Sequence, residues 1–216
     1  VIIAACPGGT TSNLFVLLSR GNIALSILLT VSASLITIVT LPFFTNYALQ
    51  MHFGEGADIS LPVGKTIAML VIIVLLPVAI GMFIRTRAPE RAKKAEGMVS
   101  IFGGLVLLAL IIALMYGSRD RLLELLAQAG PAAFLLNLVG VLIGLVSSRL
   151  FGLSQRESLA VAVELGIKNG TIALMVTLTL LESSEMSIPA VVYSVMMYGF
   201  GAILIMMGRR LVPITP

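Results

Sequence analysis

Apolar side chains fill this chain in runs of membrane length, and polar or turn-forming residues collect between them. Apolar stretches cover 22–48, 62–84, 98–117, 131–150, 156–181 and 187–208, with a shorter piece at 1–19. A bilayer core about 30 Å thick takes roughly 20 apolar residues per helix, so the runs predict six whole spans and part of a seventh. Breaks fall at 19–22, 54–60, 85–96, 117–130, 152–157 and 182–185. Within the fourth break, Leu122, Leu125 and Leu126 recur at helical spacing among Arg119, Asp120, Arg121 and Glu124. That predicts a short amphipathic connector over 118–129, lying along the membrane interface.

Composition supports a bilayer setting. Of 216 residues, 58% are apolar and 11% charged, against about 25% charged in an ordinary soluble domain. One Cys excludes an internal disulfide framework, and one His excludes His-paired metal chemistry within the chain. The net charge of +4 reads as membrane topology, with no nucleic-acid partner implied. Ten of the fourteen Lys and Arg fall on one alternating set of connections: Arg20, Arg85, Arg87, Arg91, Lys93, Lys94, Arg149, Arg156, Arg209 and Arg210. The opposite set holds Lys65, Arg119 and Arg121 together with Glu55, Asp58, Glu182 and Glu185. Cytoplasmic loops carry the basic excess, which predicts a multi-pass cell-membrane protein with a cytoplasmic C-terminus.

The remaining basic residue, Lys168, lies inside a span with Glu164, in Glu164-Leu165-Gly166-Ile167-Lys168-Asn169-Gly170-Thr171. Ionisable groups at membrane depth are costly and mark function. Gly166 and Gly170 around them predict an unwound stretch whose free backbone groups can hold ions or anions. The alternative is an intact helix in which Glu164 and Lys168 neutralise each other at i and i+4. The opening segment, Cys6-Pro7-Gly8-Gly9-Thr10-Thr11-Ser12-Asn13, has the same grammar. Pro7 removes a donor, the glycines permit a break, and hydroxyl and amide oxygens follow as a helix begins. By itself this could be an N-cap with a kink.

One whole span follows each break. If 62–208 is a five-helix repeat with its fourth helix broken, the first break belongs to the fourth helix of an earlier repeat. Five is odd, so the two repeats are inverted in the membrane. The expectation is then an all-α polytopic fold with two crossing broken helices, about three and a half helices preceding Val1.

These residues resemble the bile acid:sodium symporter family. The segment from Cys6 to Asn13, followed by Ser19-Arg20-Gly21-Asn22-Ile23-Ala24-Leu25-Ser26 and Thr30, is similar to its fourth and fifth helices. The segment from Glu164 to Thr171 is similar to its broken ninth. The resemblance implies two inverted five-helix repeats divided into panel and core domains. Here 1–48 would end the first repeat in the core, 62–117 would form the panel, and 131–209 would complete the core with the broken helix 156–181.

The resemblance also implies a secondary active transporter, not an enzyme, that carries a bile-acid-like or small carboxylate anion with sodium by alternating access. By position, Ser12, Asn13, Ser26, Thr30 and Glu164 would hold one sodium. Ser26 and Thr30 share a helix face, although on their own they would be read as bonding back to helix carbonyls. Glu164, the backbone at Leu165 and Ile167, and the position of Lys168 would form a second cation site. Lys168 replaces a glutamine of the family there, and its fixed positive charge opposes a second sodium. The options are one-sodium coupling, proton (H+) coupling and sodium-independent exchange, with Lys168 as substrate counter-ion a further one. The anion would meet the half-helix N-termini at Thr10, Thr11, Asn169 and Gly170.

Cys6 reads as a packing residue and His52 as a solvated loop residue. Gly103-Gly104 and the Gly140, Gly144 pair predict close helix approach. A channel is the first rival function, since polar residues also line pores. An intramembrane enzyme lacks a nucleophile, base and orienting group.

Overall fold

The computed structural model describes residues 1–54, 60–117 and 119–213, less a few side chains, Thr10, Lys93 and Leu122 among them. Glu55, Asp58 and Ser118 lie outside the described residues. The chain is helical throughout: α1 (Ile2–Ala5), α2 (Thr10–Leu18), α3 (Ile23–Phe53), α4 (Val63–Arg87), α5 (Pro89–Gly117), α6 (Leu122–Phe151), α7 (Gln155–Gly166), α8 (Gly170–Leu180) and α9 (Ser184–Leu211). Among the described residues the sole β-type pairing is an isolated antiparallel bridge between Gly8 and Lys168.

Five of these helices, α3 to α6 and α9, are long and apolar enough to cross a membrane. The sixth predicted span, 156–181, is divided into α7 and α8, and α1 and α2 divide the opening piece in the same way. Local chemistry sets the ends. Asn22, Asn169 and Ser183 each accept a backbone N–H three residues on, from Leu25, Ile172 and Met186. Ser154 and Glu157 form a reciprocal capping box at the start of α7. The second halves of the two divided helices end alike: Arg20 after α2 (φ 61°) and Glu182 after α8 (φ 50°) are left-handed, and a capping residue then starts the next long helix.

Two expectations about connections are corrected. Residues 118–129 do not form a separate helix along the interface. Arg119–Arg121 make a single 3-10 turn, and α6 runs unbroken from Leu122 through Pro131 to Phe151. Leu125, Leu126 and Ala129 pack against the core, and Arg121 ties this end to Glu185 at the start of α9 through a 2.8 Å ion pair. Packing of that kind outweighs the one hydrogen bond that proline removes. The basic break at 85–96 is also almost wholly helical, with Ala88 alone turning the chain between α4 and α5.

Helix α9 is the hub, touching α1, α2, α5, α6, α7 and α8, while α6 lies along α7 over its length. Small residues permit that contact. A Cβ added at Gly144 would overlap Ala162, and one at Gly140 would stand 2.8 Å from the Leu165 carbonyl oxygen. Gly103 and Gly104 behave differently, because a Cβ at either meets nothing within 4 Å. Among the described residues the expected close approach does not occur there, and the pair opens onto a cavity instead. Helices α4 and α5 touch the rest mainly through α3 and α9 and bury few of their residues.

Candidate functional site at the helix crossing

The two interruptions meet. Asn169 N–H donates to the Pro7 carbonyl at 2.8 Å, and Gly9 N–H donates to the Ile167 carbonyl at 3.3 Å. Each break thus satisfies the backbone groups that the other leaves open, which is what a helix interruption at membrane depth requires. Because α7 ends at Gly166, Glu164 and Lys168 are not stacked at i and i+4, and no ion pair joins them. The intact-helix alternative is therefore excluded.

Glu164 is 6% exposed and faces α2 and α3. Its Oε1 accepts from Ser12 Oγ at 2.6 Å and from Ser26 Oγ at 2.5 Å, and its Oε2 accepts from Thr30 Oγ1 at 2.9 Å. The same hydroxyls contact other acceptors: Ser12 the Gly9 carbonyl at 2.6 Å, Ser26 the Asn13 Oδ1 at 2.8 Å, and Thr30 the Ser26 carbonyl at 3.0 Å. Each hydroxyl has one proton and two acceptor contacts. Oxygen lone pairs therefore outnumber protons around a buried carboxylate, and a hard cation satisfies such a surplus. Space is reserved for the carboxylate, since a Cβ on Gly8 would overlap Glu164 Oε2.

Lys168, four residues on, is half-buried; its backbone carbonyl accepts from Gly170 N–H at 3.1 Å, while its ammonium has no hydrogen-bond or ion-pair partner among the described residues. It borders two cavities. One, of about 370 Å³, lies among α1, α3 and α7 and also reaches Glu164, Leu165 and Cys6. The other, of about 320 Å³, lies between the crossing and α5 and is walled by Thr11, Asn169, Gly170, Thr171 and the open Gly103-Gly104 pair. Of the expected anion contacts, Thr11, Asn169 and Gly170 share this second cavity, and the Thr10 side chain lies outside the described residues. Asn169 spends its Oδ1 on the α8 cap at 3.2 Å, which leaves the amide N–H₂ for a ligand. Among the expected second-site groups, the Ile167 carbonyl already accepts from Gly9, and its side chain is fully buried.

Three residues behind the crossing escaped the sequence reading. Tyr193 of α9 donates to the Gly166 carbonyl at 2.9 Å, bracing the C-terminal end of α7. Asn137 of α6 is 0% exposed beside Gly166, and neither of its amide atoms has a hydrogen-bond partner among the described residues. Ser194 of α9 lies against Gly170 at the start of α8. A polar residue in an apolar run, such as Asn137 between Leu136 and Leu138, is the available signal.

Residues 1–125 match the family model of the sodium bile acid symporter family, more than half of the chain. The chain belongs to the sodium bile acid symporter family. A probable chloroplastic sodium/metabolite cotransporter of Arabidopsis thaliana is 26% identical, over 99% of this chain and 52% of that protein. An uncharacterized sodium-dependent transporter of Bacillus subtilis is 28% identical, over 90% of this chain and 59% of that protein. The human ileal sodium/bile acid cotransporter is 27% identical, over 94% and 58%. The chain thus spans little more than half the length of these curated relatives. The sodium bile acid symporter family and these relatives are transporters, not enzymes. Multi-pass membrane character follows from the family together with the five long apolar helices.

Proposed function

We propose that this protein is a sodium-coupled secondary transporter of a small organic anion, acting by alternating access. The observation that carries the reading is the cluster of Ser12, Asn13, Ser26 and Thr30 oxygens around the Glu164 carboxylate, with too few protons to satisfy it. Sodium binds in this cluster, and the anion binds in the adjoining cavity at Thr11, Asn169 and Gly170. A cavity of about 320 Å³ lies at the low end of small-molecule sites, roughly 300–1,000 Å³, which favours a small carboxylate over a bile acid. The printed names of the relatives, sodium/metabolite and sodium/bile acid cotransporter, support the coupling ion and an organic solute.

Residues 62–117 serve as the panel against which the core, 1–48 with 131–209, rocks in a cell membrane with the C-terminus inside. The weak burial of α4 and α5 suits a sliding boundary. A second reading, sodium-independent or proton-coupled exchange, has one observation in its favour, the Lys168 ammonium beside the proposed second cation site at Glu164, Leu165 and Ile167. Uptake of a panel of carboxylates by the full-length protein in liposomes, with and without an inward sodium gradient, separates the readings. Sodium-driven accumulation is expected, and Glu164→Gln should weaken sodium binding about 100-fold by removing the charge that the cation needs. Accumulation indifferent to sodium but driven by a proton gradient would replace the first reading with the second.

A further inference from the structure

The charges at the crossing restrict which ligands can cross together, and this inference rests on the sodium and anion reading of that site. Glu164 is one buried negative charge, and the Lys168 ammonium is one half-buried positive charge with no hydrogen-bond or ion-pair partner among the described residues. Net charge at membrane depth is costly, and paired charge is much less so. The empty site is neutral. Sodium alone leaves it one charge positive, and a monovalent anion alone leaves it one charge negative. Both together restore neutrality, and a dianion does not.

Lys168 is placed to serve both states. Its backbone is held in the bridge to Gly8, and its flexible four-carbon stem borders the Glu164 cavity on one side and the Thr11–Asn169 cavity on the other. We propose that the Lys168 ammonium is the counter-charge of the transported anion, turning from the Glu164 side to the Thr11–Asn169 cavity as the anion binds. One sodium and one monovalent anion then cross together with no net charge moved. The ligand is a monocarboxylate or monosulfonate with a compact apolar body, because Leu14, Val99 and Met197 complete the wall around the polar end. Sodium that binds alone, or an anion that binds alone, leaves an uncompensated charge, so the same lysine suppresses uncoupled leak.

The experiment is uptake of radiolabelled sodium by the full-length protein in liposomes, with butyrate as monoanion and succinate as dianion. The wild type should give a sodium Hill coefficient of about one, a rate unchanged by an inside-negative potential, and succinate roughly tenfold less effective than butyrate. Lys168→Gln removes the built-in positive charge, so a second sodium must replace it. Its coefficient should rise to about two, and an inside-negative potential should accelerate it. Lys168→Arg keeps the charge and should keep the wild-type pattern. A wild type with coefficient two, or accelerated by potential, overturns the proposal, and so does Lys168→Gln with coefficient one. If Lys168→Gln does not fold, the wild-type coefficient and potential dependence decide alone. Absence of any anion-stimulated sodium uptake in the wild type overturns the transport reading itself, which separates that failure from this one.

Discussion

Glu164 and Lys168 stand four residues apart, yet the Glu164 carboxylate is ringed by three hydroxyls while the Lys168 ammonium has no hydrogen-bond or ion-pair partner among the described residues. In an unbroken helix they would form a favourable i, i+4 pair and cancel each other. Ending α7 at Gly166 and starting α8 at Gly170 keeps the two groups from stacking as a helical pair, although both border the cavity of about 370 Å³. The carboxylate gains a surplus of oxygen, and the ammonium gains two cavities. The interruption thus keeps opposite charges near each other without a direct ion pair, which is what the proposed ion and anion sites require.

Substitutions on either side test this contrast. The largest effect is expected for Gly8→Ala, whose new methyl group would occupy the place of Glu164 Oε2. Overpacking of that kind costs about 1–3 kcal/mol, so sodium affinity measured by isotope binding should fall about 10- to 100-fold. Thr30→Val keeps the shape but removes the hydroxyl on Oε2, and the same assay should read a loss of about tenfold, as for one hydrogen bond to a charged group. Gly103→Leu acts on the lysine side alone. Its side chain would enter the open cavity, so competition assays should show bulky anions weakened roughly 10-fold relative to butyrate, about the worth of a methylene or two. Sodium binding should stay as in the wild type. The smallest change is expected for Tyr193→Phe, which removes the donor to the Gly166 carbonyl and should cost about 0.5–1.5 kcal/mol in a denaturation assay.

The long spans are legible because membrane thickness imposes a length on apolar runs, as at 22–48 and 187–208, which the structure realises as α3 and α9. Both interruptions are legible too, through Pro7-Gly8-Gly9 and Gly166 to Gly170, since these residues release the backbone locally. Local signals mislead where distant packing decides. Gly130-Pro131 reads as a terminus, yet the helix continues through it, with Leu125, Leu126 and Ala129 packed against the core. The Gly103-Gly104 pair has the same composition as a helix-packing motif and faces open space, because which side of α5 meets a neighbour is a property of the whole fold. Arg20 was legible only as a loop charge. In the structure its guanidinium donates to the Arg209 and Val212 carbonyls at 3.1 and 2.8 Å, closing the C-terminal end of α9.

The bridge between the two breaks has a mechanical consequence. Two backbone bonds, Asn169 to Pro7 and Gly9 to Ile167, fasten four half-helices at one point. Pro7 has no N–H, so it can accept in this joint but never donate, and the pairing places its carbonyl opposite Asn169 N–H. A fastener with a single register transmits torque without creep. Displacing α1 and α2 relative to α7 and α8 would therefore have to break both bonds and leave four backbone groups unpaired at membrane depth.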